Sequence, residues 1–300
     1  MTNLASTPTK IGGAVKEFLW NYEQQQIRVV YECLGEGSPI LLLPAFSTVS
    51  MRSEMAEIAK LLSPHFQTVA VDFPGFGDSE RPSVDYKPAL YQKFLQDFVS
   101  SVFNTPVAVV AAGHSAAYVL QLQKEKSNAF SRIVLVAPTW RGPLPTMGVG
   151  QSVAGNVKNL VRSPILGQFL YKLNTAPGFL SFMYRRHVYT DTTKLTSDFI
   201  EYKWRNTQQP GGRFAPAAFV TGNLDAVKNR DDFLNLAKSV SIPLMVIIGE
   251  SSPPSSRAEM DALAALPGVD STKLAGTLGM HEEYPREVFE AISPFLSQDL

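Results

Sequence analysis

The chain has 300 residues, 45% of them hydrophobic and 18% charged, which is enough apolar mass for a large core and excludes intrinsic disorder. Lys plus Arg and Asp plus Glu number 27 each, so no net field gathers nucleic acid, and no nucleic-acid partner is expected. The lone Cys33 excludes an internal disulfide, no Cys/His group has zinc spacing, the N-terminal stretch lacks a long apolar run and no run approaches membrane-span length, so a cytoplasmic protein without a metal, a secretory signal or a membrane span is expected.

In chain order, 17–23 and 26–33 read as two strands around a polar turn. Residues 39–46, PILLLPAF, form a buried strand after a glycine-rich turn. Helical spacing follows over 51–62 and another strand over 67–72. Helix 87–103, strand 106–112, helix 116–126 and strand 132–137 continue the alternation. Between 141 and 235 the rhythm changes to helix-like pieces broken by Pro164, Pro177 and Pro210, with no buried-strand run. Helix 230–239, strand 243–248, helix 255–265, strand 271–275 and helix 284–297 then resume it. Such β-then-α order predicts a mostly parallel, eight-stranded sheet covered on both faces. Residues 1–140 and 236–300 are expected to form this core, and 141–235 an inserted helical cap over the strand ends.

The strand at 106–112 runs into Gly113-His114-Ser115-Ala116-Ala117 and at once into a helix. A serine on so sharp a turn needs small neighbours two residues before and after it, and Gly113 and Ala117 supply them. The turn lifts the Ser115 hydroxyl to the carboxyl edge of the sheet, at a helix N-terminus with its N–H groups and positive dipole end. An ordinary N-cap serine is the plainer alternative.

In these features the sequence resembles the α/β-hydrolase superfamily, whose nucleophile elbow is this motif. The resemblance runs over nearly the whole chain from about residue 17. It extends to Asp72-Phe73-Pro74-Gly75-Phe76-Gly77-Asp78-Ser79, a tight loop read as structural, and SMRSEM and TWRGPLP resemble hydrolase-like proteins of cyanobacteria and plastids. It implies an oxyanion hole from the backbone N–H of Ala116 and, by position in Pro44-Ala45-Phe46, that of Phe46. The family commonly carries His-Gly-x there.

A serine nucleophile also needs a base, and the chain has four histidines. His65 lies at the amino edge, His114 points to the opposite face from its neighbour Ser115, and His187 sits in the insertion. His281, in the loop after the last strand where the family carries its base, is the candidate. Gapless alignment on Glu282-Glu283-Tyr284-Pro285 instead puts Leu278 at the base position. The family's acid position holds Ser252, which leaves Glu250 as the nearest carboxylate and the candidate third member.

The segment 165–190 carries Phe169, Leu170, Tyr171, Phe179, Leu180, Phe182, Met183, Tyr184 and Tyr189. Part of this stripe is expected to line the pocket and to favour an apolar substrate. Arg185 and Arg186 read as a solvated helix face, too short a basic face for a membrane-surface helix. The expected activity is a cofactor-independent serine hydrolase for a small apolar ester. An acyltransferase or lyase using Ser115, and a fold retained to bind an apolar ligand after loss of the triad, stand as alternatives. Epoxide-hydrolase and dehalogenase chemistry are disfavoured, since such relatives carry Asp at the elbow. The glycines at 75 and 77 form no phosphate-binding fingerprint.

Overall fold

Eight strands form one sheet: β1 Ala14–Tyr22, β2 Gln25–Leu34, β3 Pro39–Leu43, β4 Gln67–Val71, β5 Val107–Ala112, β6 Phe130–Val136, β7 Leu244–Gly249 and β8 Val269–Leu274. Their spatial order is β1-β2-β4-β3-β5-β6-β7-β8. The coordinates are a computed structural model that describes residues 10–146 and 166–298. β2 runs antiparallel to both β1 and β4, and every other pairing is parallel. The expected mostly parallel sheet is therefore what forms. The strands lie within one to three residues of the spans read from the sequence.

The central strands are buried because helices cover both faces. β7 has every residue buried, and β3 and β4 expose no residue beyond their first. The helices Ala56–Leu62, Pro88–Val102, Ser115–Glu125, Pro254–Ala264 and Pro285–Leu296 each contribute buried apolar residues to the covering layers. Beyond β3 the chain passes to β4 on one side and, through β5, to the other. Ligands of open α/β sheets collect outside the strand ends at such a switch point. The loops after β3 and β5 meet there.

Between β6 and β7 the described chain is helical: Leu166–Asn174, Pro177–Met183, Ser197–Thr207, Phe214–Val220 and Arg230–Lys238. A second small core of Val49, Leu180, Tyr184, Tyr189, Leu195 and Ile200 joins this insertion to the loop after β3. Phe233, Leu236 and Ala237 of the last helix pack into the main core instead. The insertion is also tied to the loop after β8. The Val188 carbonyl accepts from Gly279 N–H at 3.2 Å and from the Thr277 hydroxyl. The Glu283 carboxylate accepts from the N–H groups of Thr190 and Asp191 at 2.8 and 2.6 Å.

A buried charge cluster pins the amino-terminal half. The fully buried Arg52 guanidinium meets Glu32 at 3.1 Å, Asp78 at 2.9 Å, and Asp72. Glu32 in turn accepts from the N–H groups of Lys10, Ile11 and Gly13. The expectation that 72–79 is a structural loop has its physical reason here. Gly77 has φ +53°, and a Cβ on it would lie 2.1 Å from the Asp72 carboxyl, so only glycine lets the loop wrap that carboxylate. Cys33, expected in a strand, is in β2 and half-buried.

Candidate functional site

The elbow forms as its sequence demands. Gly113 has φ +52°, and a Cβ there would lie 3.0 Å from Ala45 Cβ. Its left-handed backbone and the close approach of the β3 loop both require glycine. Ser115 opens the helix Ser115–Glu125 and is completely buried. Its Oγ donates to the Pro44 carbonyl at 2.5 Å. This contact brings the loop after β3 directly onto the nucleophile candidate.

Ala45 occupies ordinary negative-φ backbone, since only Glu23 and Ala137 are positive-φ non-glycine residues among those described. The loop thus manages without the family's glycine. Packing fixes it: the Phe46 ring stacks on Phe73 at 4.5 Å and meets Tyr91, Phe76, Tyr118 and His114 at 4.9 to 6.0 Å. The Ala116 N–H, expected as an oxyanion donor, makes a long 3.3 Å bond to the Gly113 carbonyl. So weak a bond is readily exchanged for a stronger acceptor.

His281 is buried in a short helix, Met280–Glu283. Its Nε2 lies 3.3 Å from Oε2 of Glu54, while Nδ1 has no partner among the described residues. A carboxylate accepts, so Nε2 carries the proton and Nδ1 of a neutral ring keeps its lone pair. Glu54 also lies 3.8 Å from the ammonium of Lys203, which pairs with Glu282 at 2.7 Å. Lys203 is fully buried, yet the carboxylates of Glu282 and Glu54 outweigh burial and raise its pKa. Sequence reasoning missed Glu54 and Lys203. Their signal was present: Glu54 lies four residues before buried Ile58, and Lys203 lies between buried Ile200 and Thr207. Each is a charge on an apolar helical stripe.

The other candidates fall as follows. Glu250 is exposed, and its carbonyl accepts from Arg257 at 2.6 Å. Ser252 is buried with its Oγ unpartnered among the described residues, and it sits beside Gly249 where the 276–277 loop also approaches. Leu278 packs at the edge of the main core. None of the four histidines hydrogen-bonds Ser115. His65 is exposed before β4, and His187 is half-buried in the turn Tyr184–Val188, where burial and Arg186 lower its pKa.

His114, expected on the opposite face from Ser115, pairs with the insertion's return. Its Nε2 lies 2.9 Å from the Leu224 carbonyl, which also accepts from the Tyr118 hydroxyl at 2.7 Å, and 3.4 Å from the Asp225 carboxylate. Burial lowers His114 to about 4 and raises Asp225 to about 7, the latter against the opposing Gly142 N–H. A cavity of about 50 Å³ opens at the same edge of the sheet, between Thr139, Trp140 and Arg141 and Ser255, Ser256 and Glu259.

The aromatic stripe of the insertion divides. Tyr171, Leu180, Tyr184 and Tyr189 are buried, whereas Phe169, Phe179 and Phe182 face solvent. The Leu170 side chain lies outside the described residues. No described cluster of His, Cys, Asp and Glu has the makings of a metal site, and no described helix is long and apolar enough to cross a membrane.

A family model described as the alpha/beta hydrolase family matches residues 40–291. Among solved structures, a thermophilic esterase from Thermogutta terrifontis aligns at 18% identity with a TM-score of 0.72, over 94% of this chain and 98% of that one. A bromoperoxidase from Bacillus anthracis aligns at 20% identity with a TM-score of 0.69, over 92% and 97%. A mutant haloalkane dehalogenase from Agrobacterium tumefaciens aligns at 15% identity with a TM-score of 0.72, over 97% and 100%. At these identities the likeness is one of fold. No curated protein sequence matches the chain.

Proposed function

Because the chain belongs to the alpha/beta hydrolase family, whose fold implies a small-molecule substrate, we propose that it is a serine hydrolase acting on a small apolar carboxylic ester. Ser115 is the nucleophile, and residues 141–235 are the cap that roofs it. One observation carries the reading: Ser115 stands at the strand-to-helix elbow, held against the oxyanion loop by the Pro44 carbonyl. The base in this reading is His281, oriented by Glu54 rather than by Glu250. Glu54 holds Nε2, which leaves the bare Nδ1 as the proton acceptor. Since His281 does not hydrogen-bond Ser115 in this structure, this reading requires the ring to reach the serine in the substrate complex, where catalytic hydrogen bonds commonly tighten. Ser115 Oγ then attacks the carbonyl carbon, its proton passes to His281, and the N–H groups of Phe46 and Ala116 hold the oxyanion. The alcohol leaves with that proton. Water, deprotonated by His281, releases the acid from the acyl-enzyme. The lone Cys33 fits a reducing, cytoplasmic setting.

A second reading is favoured by the same hydrogen bond. The Ser115 proton is already given to Pro44, and the family's base and acid positions hold Leu278 and Ser252. On this reading the fold keeps an apolar ligand against Ser115 without turning it over. A fluorophosphonate probe separates the two. Hydrolysis requires labelling that Ser115→Ala abolishes and that His281→Ala and Glu54→Gln slow by about a hundredfold or more. The double variant Leu278→His with Ser252→Asp serves as the reference for an assembled relay. If that variant labels rapidly and the native chain labels no faster than His281→Ala, the binding reading replaces the enzymatic one.

A further inference from the structure

We propose that the outer face of the helices Leu166–Asn174 and Pro177–Met183 docks on an anionic lipid bilayer. Six large apolar side chains are markedly exposed among the described residues, and four of them sit on these two short helices. Phe169 is 59% exposed, Leu173 54%, Phe179 41% and Phe182 59%, and the Phe179 and Phe182 rings are neighbours at 6.4 Å. The spacing pairs them within each helix. Phe169 and Leu173 are four apart on one helix face with Lys172 beside them, and Phe182 follows Phe179 by three on the next. Their opposite faces are committed elsewhere: Tyr171 is buried, and Leu180 belongs to the second small core. Exposed clusters of this kind mark interaction surfaces.

Charge identifies the occupant. From Arg141 through Thr190 the sequence holds six Lys and Arg residues and no acidic one, although the whole chain is neutral; Lys158 and Arg162 lie outside the described residues. Lys172, Arg185 and Arg186 of this set are exposed in the same region as the aromatic residues. A groove lined by Pro177, Ser181 and Arg185 also contains Asp198 and Glu201, so of these exposed basic residues Lys172 and Arg186 are the two that do not line it. Exposed phenylalanines on helices that carry Lys172 and lead into Arg186, with the acidic pair confined to the groove on the Ser181 side, match a surface that is apolar within and anionic at its headgroups. The sequence alone argued against a membrane-surface helix because no single stretch has a long basic face. The tertiary fold instead leaves an apolar face exposed on each of two consecutive helices. This inference stands independently of the chemistry at Ser115.

Co-sedimentation tests it, with vesicles of phosphatidylcholine alone and vesicles containing about one-third phosphatidylglycerol. The native chain should sediment with the anionic vesicles and should be released by about 0.5 M salt. Lys172→Gln with Arg186→Gln should weaken that binding about tenfold or more, at roughly a factor of five per charge. Phe169→Ser with Phe179→Ser and Phe182→Ser should abolish it, with unchanged thermal unfolding showing that the fold survives. The proposal is overturned by equal binding to neutral vesicles, by absence of binding, or by triple-variant binding at the native level. Analytical ultracentrifugation adds one more outcome. A native dimer that the triple variant dissociates, with no vesicle binding, would assign the face to a second copy of the chain.

Discussion

His281 Nε2 lies 3.3 Å from Oε2 of Glu54, a residue 227 positions earlier in the chain. Through Glu54 and Lys203 this ring is joined to the insertion, so the loop after β8, the loop after β3 and the helix Ser197–Thr207 share one buried charge cluster. A site reorganised by substrate would have to act through these contacts, because they hold His281 where it is.

Lys203 is the cation of that cluster, and removing it leaves Glu54 buried and Glu282 half-buried beside it. Lys203→Met should cost about 3–5 kcal/mol in urea unfolding, the usual penalty for stranding buried charge. Lys203→Met with Glu282→Gln should recover part of the loss. A loss below about 1 kcal/mol for the single variant would show the cluster to be solvated and energetically slight.

Arg52 presents the same physics with more partners. Arg52→Met should destabilise by at least about 3–5 kcal/mol and depress soluble yield. Arg52→Lys should rescue little, because one ammonium cannot reproduce the planar fork that meets Glu32, Asp72 and Asp78 together. Near-native stability of the lysine variant in the same unfolding assay would sink this account.

Two glycines separate backbone strain from steric conflict. Gly268 has φ +78° with nothing near a Cβ, whereas at Gly77 a Cβ would enter the Asp72 carboxyl. Gly268→Ala should cost about 1–2 kcal/mol from the left-handed backbone alone. Gly77→Ala should cost clearly more and should disturb the Arg52 cluster. Equal thermal shifts for the two would contradict the close approach.

His114 and Asp225 predict opposing pH dependences. His114 is lowered to about 4 from 6.5, so the native state binds fewer protons than the unfolded chain between those values, and stability rises with pH. Asp225 is raised to about 7 from 3.8, so the native state binds more protons, and stability falls as pH rises through that window. Each slope is at most about 1.4 kcal/mol per pH unit. Asp225→Asn should therefore leave a protein that gains stability from pH 4 to 6.5. His114→Gln should leave one that loses stability from pH 4 to 7, with the native chain flatter than either. Denaturation midpoints across that range measure this directly, and parallel profiles for all three proteins would refute the pairing.

What could be read in the sequence and what could not divide along a physical line. β5, the elbow and Ser115 were legible because a short apolar run, a glycine and a small residue constrain the backbone locally. Glu54 as the partner of His281 was not, since contact between residues so distant depends on how loops fold over the sheet edge. Glu250 lies near the family's acid position in sequence, but in the fold its residue is exposed.

The amino-acid sequence by itself determined the order of strands and helices, the place of the insertion and the nucleophile candidate. Period-two and 3.6-residue patterns and turn sterics act within a few residues of each other. Tertiary structure alone decided which charges meet in the interior and which apolar residues stay outside. Tyr184 and Phe182 carry the same helical signal, yet one is 5% exposed and the other 59%. A periodic stripe specifies a face, and only the packing of neighbouring elements decides whether anything covers it.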